Sequence, residues 1–421
     1  MTGPCHDIPT FPPRAVPVPM NAVTRTAAAA DRWAPVAVFA ALPTIGLAAG
    51  PAYAGLVMGL SVIRMLVALP QRPAIDRPLC VTAAAFVGLG WISIAWSVAP
   101  HRTEAEALAL TGIAILLLPL TPGRMLPAAT VERLFQVMAW ATMLGAAAAT
   151  FDMLWGAPGE ALVAGRPGLA SMTKYNRGID HLVLVAIPLL AFIWHRRRRL
   201  LPPLAVTLVA VLAVGHSSTG QLAAIVFIVV LAVALILPRL VAIVLAGGTV
   251  LLAVALPVAL HAVATHRAAL QGLIKQSGMN RLEIWDYMTA RVLERPLHGW
   301  GLAASPAVPI TPAELATYHY VTPVGFYPHD QWLQLWVETG AIGTALGLVF
   351  ALLILRRAER LPVRLRPWGL ATFAAAMTIA CMNFEITTDS WWAALAAAGF
   401  LFSILSRHLE HADDRLPAWG R

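Results

Sequence analysis

Apolar segments separated by short polar or basic connections recur from residue 34 to residue 406. Each is close to the length of about 20 residues that a helix needs to cross the hydrocarbon of a bilayer. None shows the period of two that is typical of a barrel strand. The pattern therefore predicts twelve transmembrane helices. They lie at 34–50, 53–70, 79–97, 105–121, 134–153, 180–194, 200–215, 221–237, 240–260, 331–355, 367–384 and 391–406.

Two boundaries between these segments depend on residues that stop a helix. Gly50-Pro51 and Pro238-Arg239 are the breaks in question, and both pairs end helices readily. If these breaks were absent, 34–70 and 221–260 would each form one long span.

The composition supports a membrane protein. Of the 421 residues, 59% are hydrophobic and 12% are charged, whereas a soluble domain is about 45–50% apolar and about 25% charged. A soluble fold of this size has no interior large enough to hide so many apolar side chains. We therefore predict an all-α polytopic membrane protein, which excludes a cytosolic enzyme, a nucleic-acid-binding protein and a disordered chain.

The net charge of +9 comes mainly from arginines in the connections between apolar segments. With both termini inside, twenty Lys and Arg residues fall in predicted cytoplasmic segments and four fall in short outer loops. Short loops rich in Lys and Arg remain in the cytoplasm. The bias predicts a multi-pass protein of the bacterial inner membrane, with membrane lipid around it and no nucleic-acid partner.

The polar segments define the domain organisation. Residues 1–33 are rich in Pro, Ala and Thr and contain no apolar run, which predicts a disordered cytoplasmic tail. Residues 34–406 form the transmembrane domain, and 407–421 form a second cytoplasmic tail. The one large periplasmic loop, 261–330, lies between the ninth and tenth spans.

The large loop carries signals for short helices. Four apolar residues fall on one stripe of 280–295, which predicts an amphipathic helix that lies along the outer surface. They are Leu282, Trp285, Met288 and Val292. Pro296 ends this helix, and a capping box at Thr311 and Glu314 starts another.

Several short motifs surround this loop in a defined order. They are Trp-Ser-Val-Ala-Pro at 96–100, G-x-x-R-x-x-x-W at 278–285, P-x-x-G-x-G at 296–301, H-x-x-x-L at 329–333 and E-x-G-x-x-G at 338–343. Together with a large outer loop between late spans, these motifs resemble the O-antigen ligase and O-antigen polymerase superfamily.

The resemblance implies a metal-independent membrane glycosyltransferase without a cofactor. Such enzymes move a glycan from undecaprenyl diphosphate to an acceptor hydroxyl at the periplasmic face. The acceptor is lipid A–core in ligases and another lipid-linked repeat unit in polymerases. We expect an O-antigen ligase whose catalytic domain is 34–406, and an O-antigen or exopolysaccharide polymerase is the alternative. One acceptor base and one bound leaving group imply a single displacement, which inverts the anomeric centre.

Arg281 and His329 are the expected catalytic residues. Guanidinium is a permanently charged fork that can hold diphosphate oxygens while the sugar–phosphate bond breaks. Imidazole, with an unperturbed pKa of about 6.5, can accept the proton of the acceptor hydroxyl. The structural alternatives are an interfacial arginine paired with lipid headgroups or Glu283, and a histidine that caps its helix.

Four further residues are expected at substrate-binding positions. Lys174 and Arg177 lie in a basic outer loop, where they would bind pyrophosphate or simply be solvated. Asp330 could orient the imidazole, although adjacent helical residues diverge by about 100°. Glu338 is expected to pair with an arginine such as Arg281 or Arg177, because ionisable groups inside a bundle are costly unless paired.

The chain departs from the family pattern at two places. Asp330 follows the loop histidine where Asn is frequent, and residues 216–221 read HSSTGQ, without the arginine that many members carry there. Arg177 is the candidate to replace that arginine.

Two hypotheses from other classes remain open. A twelve-span secondary transporter predicts internal repeats and charges at mid-membrane, but the sequence has no clear repeat and almost no such charge. A non-catalytic membrane scaffold is the other hypothesis. No metal site is expected, because Cys5, Cys80 and Cys381 form no CxxC and the histidines show neither HxxxH nor HExxH spacing.

Overall fold

A computed structural model describes residues 22–68, 76–117, 120, 126–163, 165, 174–270, 272–273, 276–318 and 327–413. These residues form α-helices joined by turns and short 3-10 segments, and none of them forms a strand. The helices are α1 (Ala22–Ala48), α2 (Gly50–Ala68), α3 (Arg77–Ile92), α4 (Pro100–Leu117), α5 (Ala128–Leu154), α6 (Pro158–Val163), α7 (Tyr175–Arg196), α8 (Leu201–Val214), α9 (Ser218–Ile236), α10 (Pro238–Thr265), α11 (Arg267–Leu270), α12 (Gln276–Glu294), α13 (Pro312–Thr317), α14 (Gln331–Glu359), α15 (Arg366–Ala380) and α16 (Asp389–Asp413).

Each predicted span corresponds to one long helix, namely α1–α5, α7–α10 or α14–α16. Seven of these helices are long and apolar enough to cross a membrane, so the protein is an all-α polytopic membrane protein. The exact number of twelve spans stays a prediction. Both expected breaks are present, because α1 and α2 separate at Ala49 and α9 and α10 separate at Leu237.

The helix boundaries differ from the predicted ones at both ends of the chain. α1 begins at Ala22, so 22–33 are helical although they were assigned to the disordered tail. The run of alanines before Asp31 explains the difference, since Ala has the highest helix propensity. At the other end α16 continues to Asp413. Residues 1–21 and 414–421 lie outside the described part of the chain.

α7 is the most buried of the candidate spans. Its Phe192 stacks on Phe135 of α5, with ring centroids 4.6 Å apart. It also packs against α1, α15 and α16. A helix enclosed in this way can carry polar side chains into the protein interior, and α7 brings Asp180 and His181 there, each with no exposed surface.

Loops that were predicted to share the cytoplasmic side contact one another. Glu132 at the start of α5 accepts a hydrogen bond from Arg196 at 3.3 Å and lies 3.2 Å from the Nε2 atom of His408. Arg357 forms an ion pair with Asp76. These contacts bring together segments that the charge bias assigned to one side of the membrane, and the side itself stays a prediction.

Candidate functional site

The predicted amphipathic helix is present as α12. Its apolar stripe is buried, with Leu282 and Val292 each 4% exposed and Met288 2% exposed. Because this stripe packs against α10 and α14, the helix has a fixed orientation. α12 also holds the segment before His329, since the indole N–H of Trp285 donates to the carbonyl oxygen of Pro328 at 2.7 Å.

Arg281, Arg177 and His329 come together although they are far apart in the sequence. Burial, with a further contribution from the charges of Arg281 and Arg177, lowers the pKa of His329 to about 4. The charges of both arginines therefore reach the imidazole, and the three residues form one candidate site, in which Arg281 and His329 are half-buried and Arg177 is exposed.

Tyr327 contacts two of these three side chains, His329 and Arg177. Its ring lies 4.2 Å from the ring of His329, measured between centroids. Its hydroxyl forms a hydrogen bond with Arg177 and donates to the carbonyl oxygen of Asn383 at 3.3 Å. Burial raises the pKa of Tyr327, whereas Arg177 and Arg281 act in the opposite direction. The phenol is therefore neutral at ordinary pH and positions its neighbours through contact.

His329 has an unusual backbone conformation. Its φ is 56°, in the left-handed region that side chains other than Gly seldom occupy. Such strain costs about 1–3 kcal/mol and is frequent at functional sites. The Nδ1 atom is buried and has no hydrogen-bond partner among the described residues. The ring is thus held by shape and by Tyr327 rather than by a hydrogen bond to a carboxylate.

Asp180 accepts hydrogen bonds from two loops between helices and so holds both loops near the site. Its Oδ1 atom accepts a hydrogen bond from Ser217 at 2.5 Å, and its Oδ2 atom accepts one from Asn383. Ser217 belongs to the short α8–α9 connection, and Asn383 belongs to the α15–α16 connection. The charges of Arg281 and Arg177 both act on this carboxylate. Asp180 therefore fixes two loops beside the arginines.

Glu385 lies on the side of the site that faces α4. Burial raises its pKa, the charges of Arg102 and Arg177 oppose that change, and Glu106 adds to it. Acidic as well as basic side chains therefore surround Arg177.

The other predicted substrate-binding residues have structural positions. Asp330 is 4% exposed and caps α14, because its side chain accepts a hydrogen bond from the backbone N–H of Leu333 at 2.9 Å. It therefore starts the helix that follows His329 and does not orient the imidazole. Lys174 directly precedes α7 and is exposed. The charges that lower the pKa of His329 are those of Arg281 and Arg177, and not that of Lys174.

Glu338 binds a loop and not an arginine, which corrects the expected pairing with Arg281 or Arg177. Its carboxylate is 1% exposed. It accepts hydrogen bonds from the Ala303 N–H at 2.8 Å, the Ser305 hydroxyl at 2.6 Å and the Gln334 side chain at 3.0 Å. Three neutral donors stabilise a buried carboxylate as an ion pair would.

A break in α14 explains the glycine-containing motifs. Gly340 has φ 64° and ψ −159°, and the helix is interrupted there. The segment 296–301 takes over the helical hydrogen bonds that are lost. Backbone N–H groups donate from Trp300 to Val337 (2.8 Å), Gly301 to Glu338 (2.9 Å), Ala341 to Pro296 (2.8 Å) and Ile342 to Leu297 (3.3 Å). The two motifs are therefore the two halves of one backbone joint.

The same joint contacts the connection between α3 and α4. The Val98 N–H donates to the Trp300 carbonyl oxygen at 3.2 Å, and the Trp96 indole donates to the His298 carbonyl oxygen at 3.2 Å. A Cβ atom on Gly301 would overlap Ser97. Hydrogen bonds and a close backbone approach thus join the Trp-Ser-Val-Ala-Pro tract to the loop motif and the helix motif.

Replacing Gly340 with Ala is expected to destabilise the protein by about 3 kcal/mol or more. The reason is that its backbone conformation is restricted to Gly and that a Cβ atom would overlap the Leu297 carbonyl group. Thermal unfolding of the detergent-purified protein measures the effect. Gly248→Ala is the matched control, because a Cβ atom there meets no other atom within 4 Å. Equal melting temperatures for the two variants would contradict the proposed role of the break.

The sequence did not identify Asp180, Ser217, Tyr327, Asn383 or Glu385 as site residues. One signal was available for Asp180, since an acidic residue at the start of an apolar segment must be paired or functional. The partners of Asp180 come from loops that are distant in the sequence. No local pattern could have indicated them.

The site can bind a group that carries several negative charges. Two guanidinium groups supply fixed positive charge and several N–H donors, and a neutral imidazole lies beside them. Within the described ranges, no group of three or more His, Cys, Asp or Glu side chains could hold a metal ion.

Residues 203–348 match the family model for O-antigen ligase. The matched segment includes Ser217, Arg281, His329 and the backbone joint at Gly340. It leaves out α7, which carries Arg177 and Asp180.

Curated relatives from Rickettsia species carry the provisional name polysaccharide ligase. The protein of Rickettsia typhi is 26% identical over 121 residues, which is 28% of this chain and 30% of the relative. The protein of Rickettsia conorii is 28% identical over 119 residues, which is 28% of this chain and 29% of the relative. The matched region thus spans less than a third of the length of these relatives.

Proposed function

Because the chain belongs to the O-antigen ligase superfamily, we propose that it is a metal-independent, inverting glycosyltransferase of the bacterial inner membrane. Its donor is a glycan on undecaprenyl diphosphate, and its acceptor is the hydroxyl of lipid A–core at the periplasmic face. The observation that carries this proposal is the shared site of Arg281, Arg177 and His329.

The arginines act on the leaving group. The bond from the anomeric carbon to the diphosphate oxygen breaks, and its electron pair remains on undecaprenyl diphosphate. Arg281 and Arg177 stabilise the negative charge that develops there, which is usually the largest contribution to catalysis of this kind. Arg281 is half-buried, so its interaction with phosphate is screened less than that of a surface arginine.

His329 acts on the acceptor. The acceptor oxygen forms the new bond to the anomeric carbon, and the proton of that hydroxyl passes to the imidazole. A single displacement from the face opposite the diphosphate inverts the configuration. The ring is neutral at ordinary pH, which is the protonation state that a base requires.

Binding of the donor is expected to activate this base. In the free protein the pKa of His329 is about 4, partly because of Arg281 and Arg177. A bound diphosphate offsets those two positive charges, so the pKa of His329 rises in the complex. Proton transfer from a hydroxyl becomes more favourable as the base becomes stronger.

This activation predicts two different pH dependences. Activity falls as pH decreases through the pKa of His329, because the protonated ring cannot accept a proton. kcat/KM for the donor reports the free enzyme and kcat reports the complex, so we expect the acidic fall of kcat/KM at a lower pH than that of kcat. Steady-state kinetics from about pH 3 to pH 9 measure both. Coincident falls, or the reverse order, would contradict donor-dependent activation.

A reconstituted transfer assay tests the function itself. Purified protein in proteoliposomes receives a lipid-linked glycan with either lipid A–core or a second lipid-linked glycan, with and without a chelator. We expect transfer to lipid A–core that the chelator does not reduce. Transfer only to the second lipid-linked glycan would identify a polymerase, and loss of activity with the chelator would disprove metal independence.

A further inference from the structure

Asp180 is close to both arginines without forming an ion pair with either. It lies one helical turn after Arg177 on α7, and the charges of Arg177 and Arg281 act on it. Among the described residues, its hydrogen bonds go to Ser217 and Asn383 and no ion pair joins it to an arginine.

Neutral donors bind both carboxylate oxygens of Asp180, and this leaves the N–H donors of the arginines unoccupied by the carboxylate. A carboxylate beside two guanidinium groups would normally bind one of them directly and occupy its N–H donors. Here Ser217 holds Oδ1 at 2.5 Å and Asn383 holds Oδ2. The hydroxyl of Ser217 is itself held by the Gly220 N–H at 3.0 Å. In its ionised form the carboxylate contributes its negative charge to the site, while the arginines keep donors available for an anion.

The surrounding backbone is built around this carboxylate. A Cβ atom on Gly220 would lie 2.8 Å from Oδ1 of Asp180, so the α8–α9 connection approaches it closely. Asp180 and Ser217 are 0% and 4% exposed. The hydrogen bonds from Ser217 and Asn383 therefore fix the orientation of the buried carboxylate relative to the arginines.

We propose that Asp180 is a positioning residue that supplies a fixed counter-charge to the two-arginine site. The counter-charge limits the affinity of the site for diphosphate, so that the lipid diphosphate product can leave. The proposal rests on the proposed function, in which that diphosphate is the leaving group. Ser217 and Asn383 keep the counter-charge at a distance from the arginines.

The proposal makes opposite predictions for two neighbouring substitutions. Asp180→Asn removes the counter-charge, so inorganic pyrophosphate is expected to bind more tightly, by up to about tenfold, and to dissociate more slowly. Ser217→Ala frees one oxygen of the carboxylate, which can then turn toward the arginines and compete with the anion. That variant is expected to bind pyrophosphate more weakly, and Ser217→Thr, which keeps the hydroxyl, is expected to restore binding.

Calorimetric titration of the detergent-purified full chain with inorganic pyrophosphate is the test. Asp152→Asn is the matched control, because Asp152 also accepts from neutral donors, the Gly159 N–H at 2.6 Å and the Tyr175 hydroxyl at 2.8 Å. Its substitution is expected to leave the affinity unchanged. Unchanged or weaker binding by Asp180→Asn at a normal melting temperature would overturn the proposal.

The titration separates failure of this proposal from failure of the proposed function. If wild-type protein binds no pyrophosphate, or if Arg281→Ala binds it equally well, the proposed function fails. If Arg281→Ala weakens binding but Asp180→Asn does not tighten it, only the counter-charge is disproved. If Asp180→Asn does not fold, the comparison of Ser217→Ala with Ser217→Thr tests the proposal. Equal pyrophosphate affinity of these two variants would overturn it.

Discussion

Replacing Arg281 with Ala is expected to reduce glycan transfer by about 10²–10³-fold, the usual range for removal of a group that stabilises charge in the transition state. The half-buried guanidinium lies beside Arg177 and His329. Arg281→Lys is expected to lose glycan transfer as well, since an ammonium group cannot make the two parallel hydrogen bonds of a guanidinium.

The measurement is the rate of transfer in proteoliposomes, with protein amounts matched between variants. Arg291→Lys is the control on the same helix, because Arg291 forms ion pairs with Glu294 at 2.9 Å and with Glu314 and has no assigned role in transfer. We expect that variant to remain active. Full activity of Arg281→Lys would disprove bidentate binding of the diphosphate, and full activity of Arg281→Ala would disprove the assignment of this residue.

Replacing His329 with Ala is expected to lower kcat by about 10²–10⁴-fold, the contribution of a well-placed general base. In contrast to Arg281→Ala, it is expected to leave pyrophosphate binding intact, because the imidazole acts on the acceptor and not on the leaving group. The two substitutions therefore separate the two halves of the reaction.

Single-turnover transfer and pyrophosphate titration of the same preparation measure this difference. His266→Ala is the control, since His266 is an exposed histidine in the turn after α10. We expect wild-type rates from it. Normal glycan transfer by His329→Ala would exclude the imidazole as the base. Loss of pyrophosphate affinity in that variant would indicate that His329 binds the donor diphosphate instead.

The helices could be predicted well because the signal for each is local. An apolar run near the length of a membrane span, ended by residues such as Gly50-Pro51, contains what is needed to predict a helix. The error at Ala22 arose because a polar sequence with high helix propensity was assigned to a tail. The amphipathic helix α12 was predicted for the same local reason, since its stripe repeats within a few residues.

The site could be predicted only in part. Arg281 and His329 were predicted because the motifs that contain them have a defined order, and their roles stay predictions. Asp180, Ser217 and Asn383 meet only after α7 and two distant loops fold together. No short stretch of sequence therefore indicates that they are in contact. Glu338 was assigned to an arginine because a buried carboxylate needs a partner, but its actual partners include a backbone N–H group that carries no sequence signal.

An experimental structure of the protein with bound undecaprenyl diphosphate would test the central claim most directly. We expect the diphosphate oxygens within hydrogen-bond distance of both Arg281 and Arg177, with the imidazole of His329 facing the position of the departed sugar. A diphosphate bound in another cavity, or Arg281 and His329 opening onto separate cavities, would contradict the account.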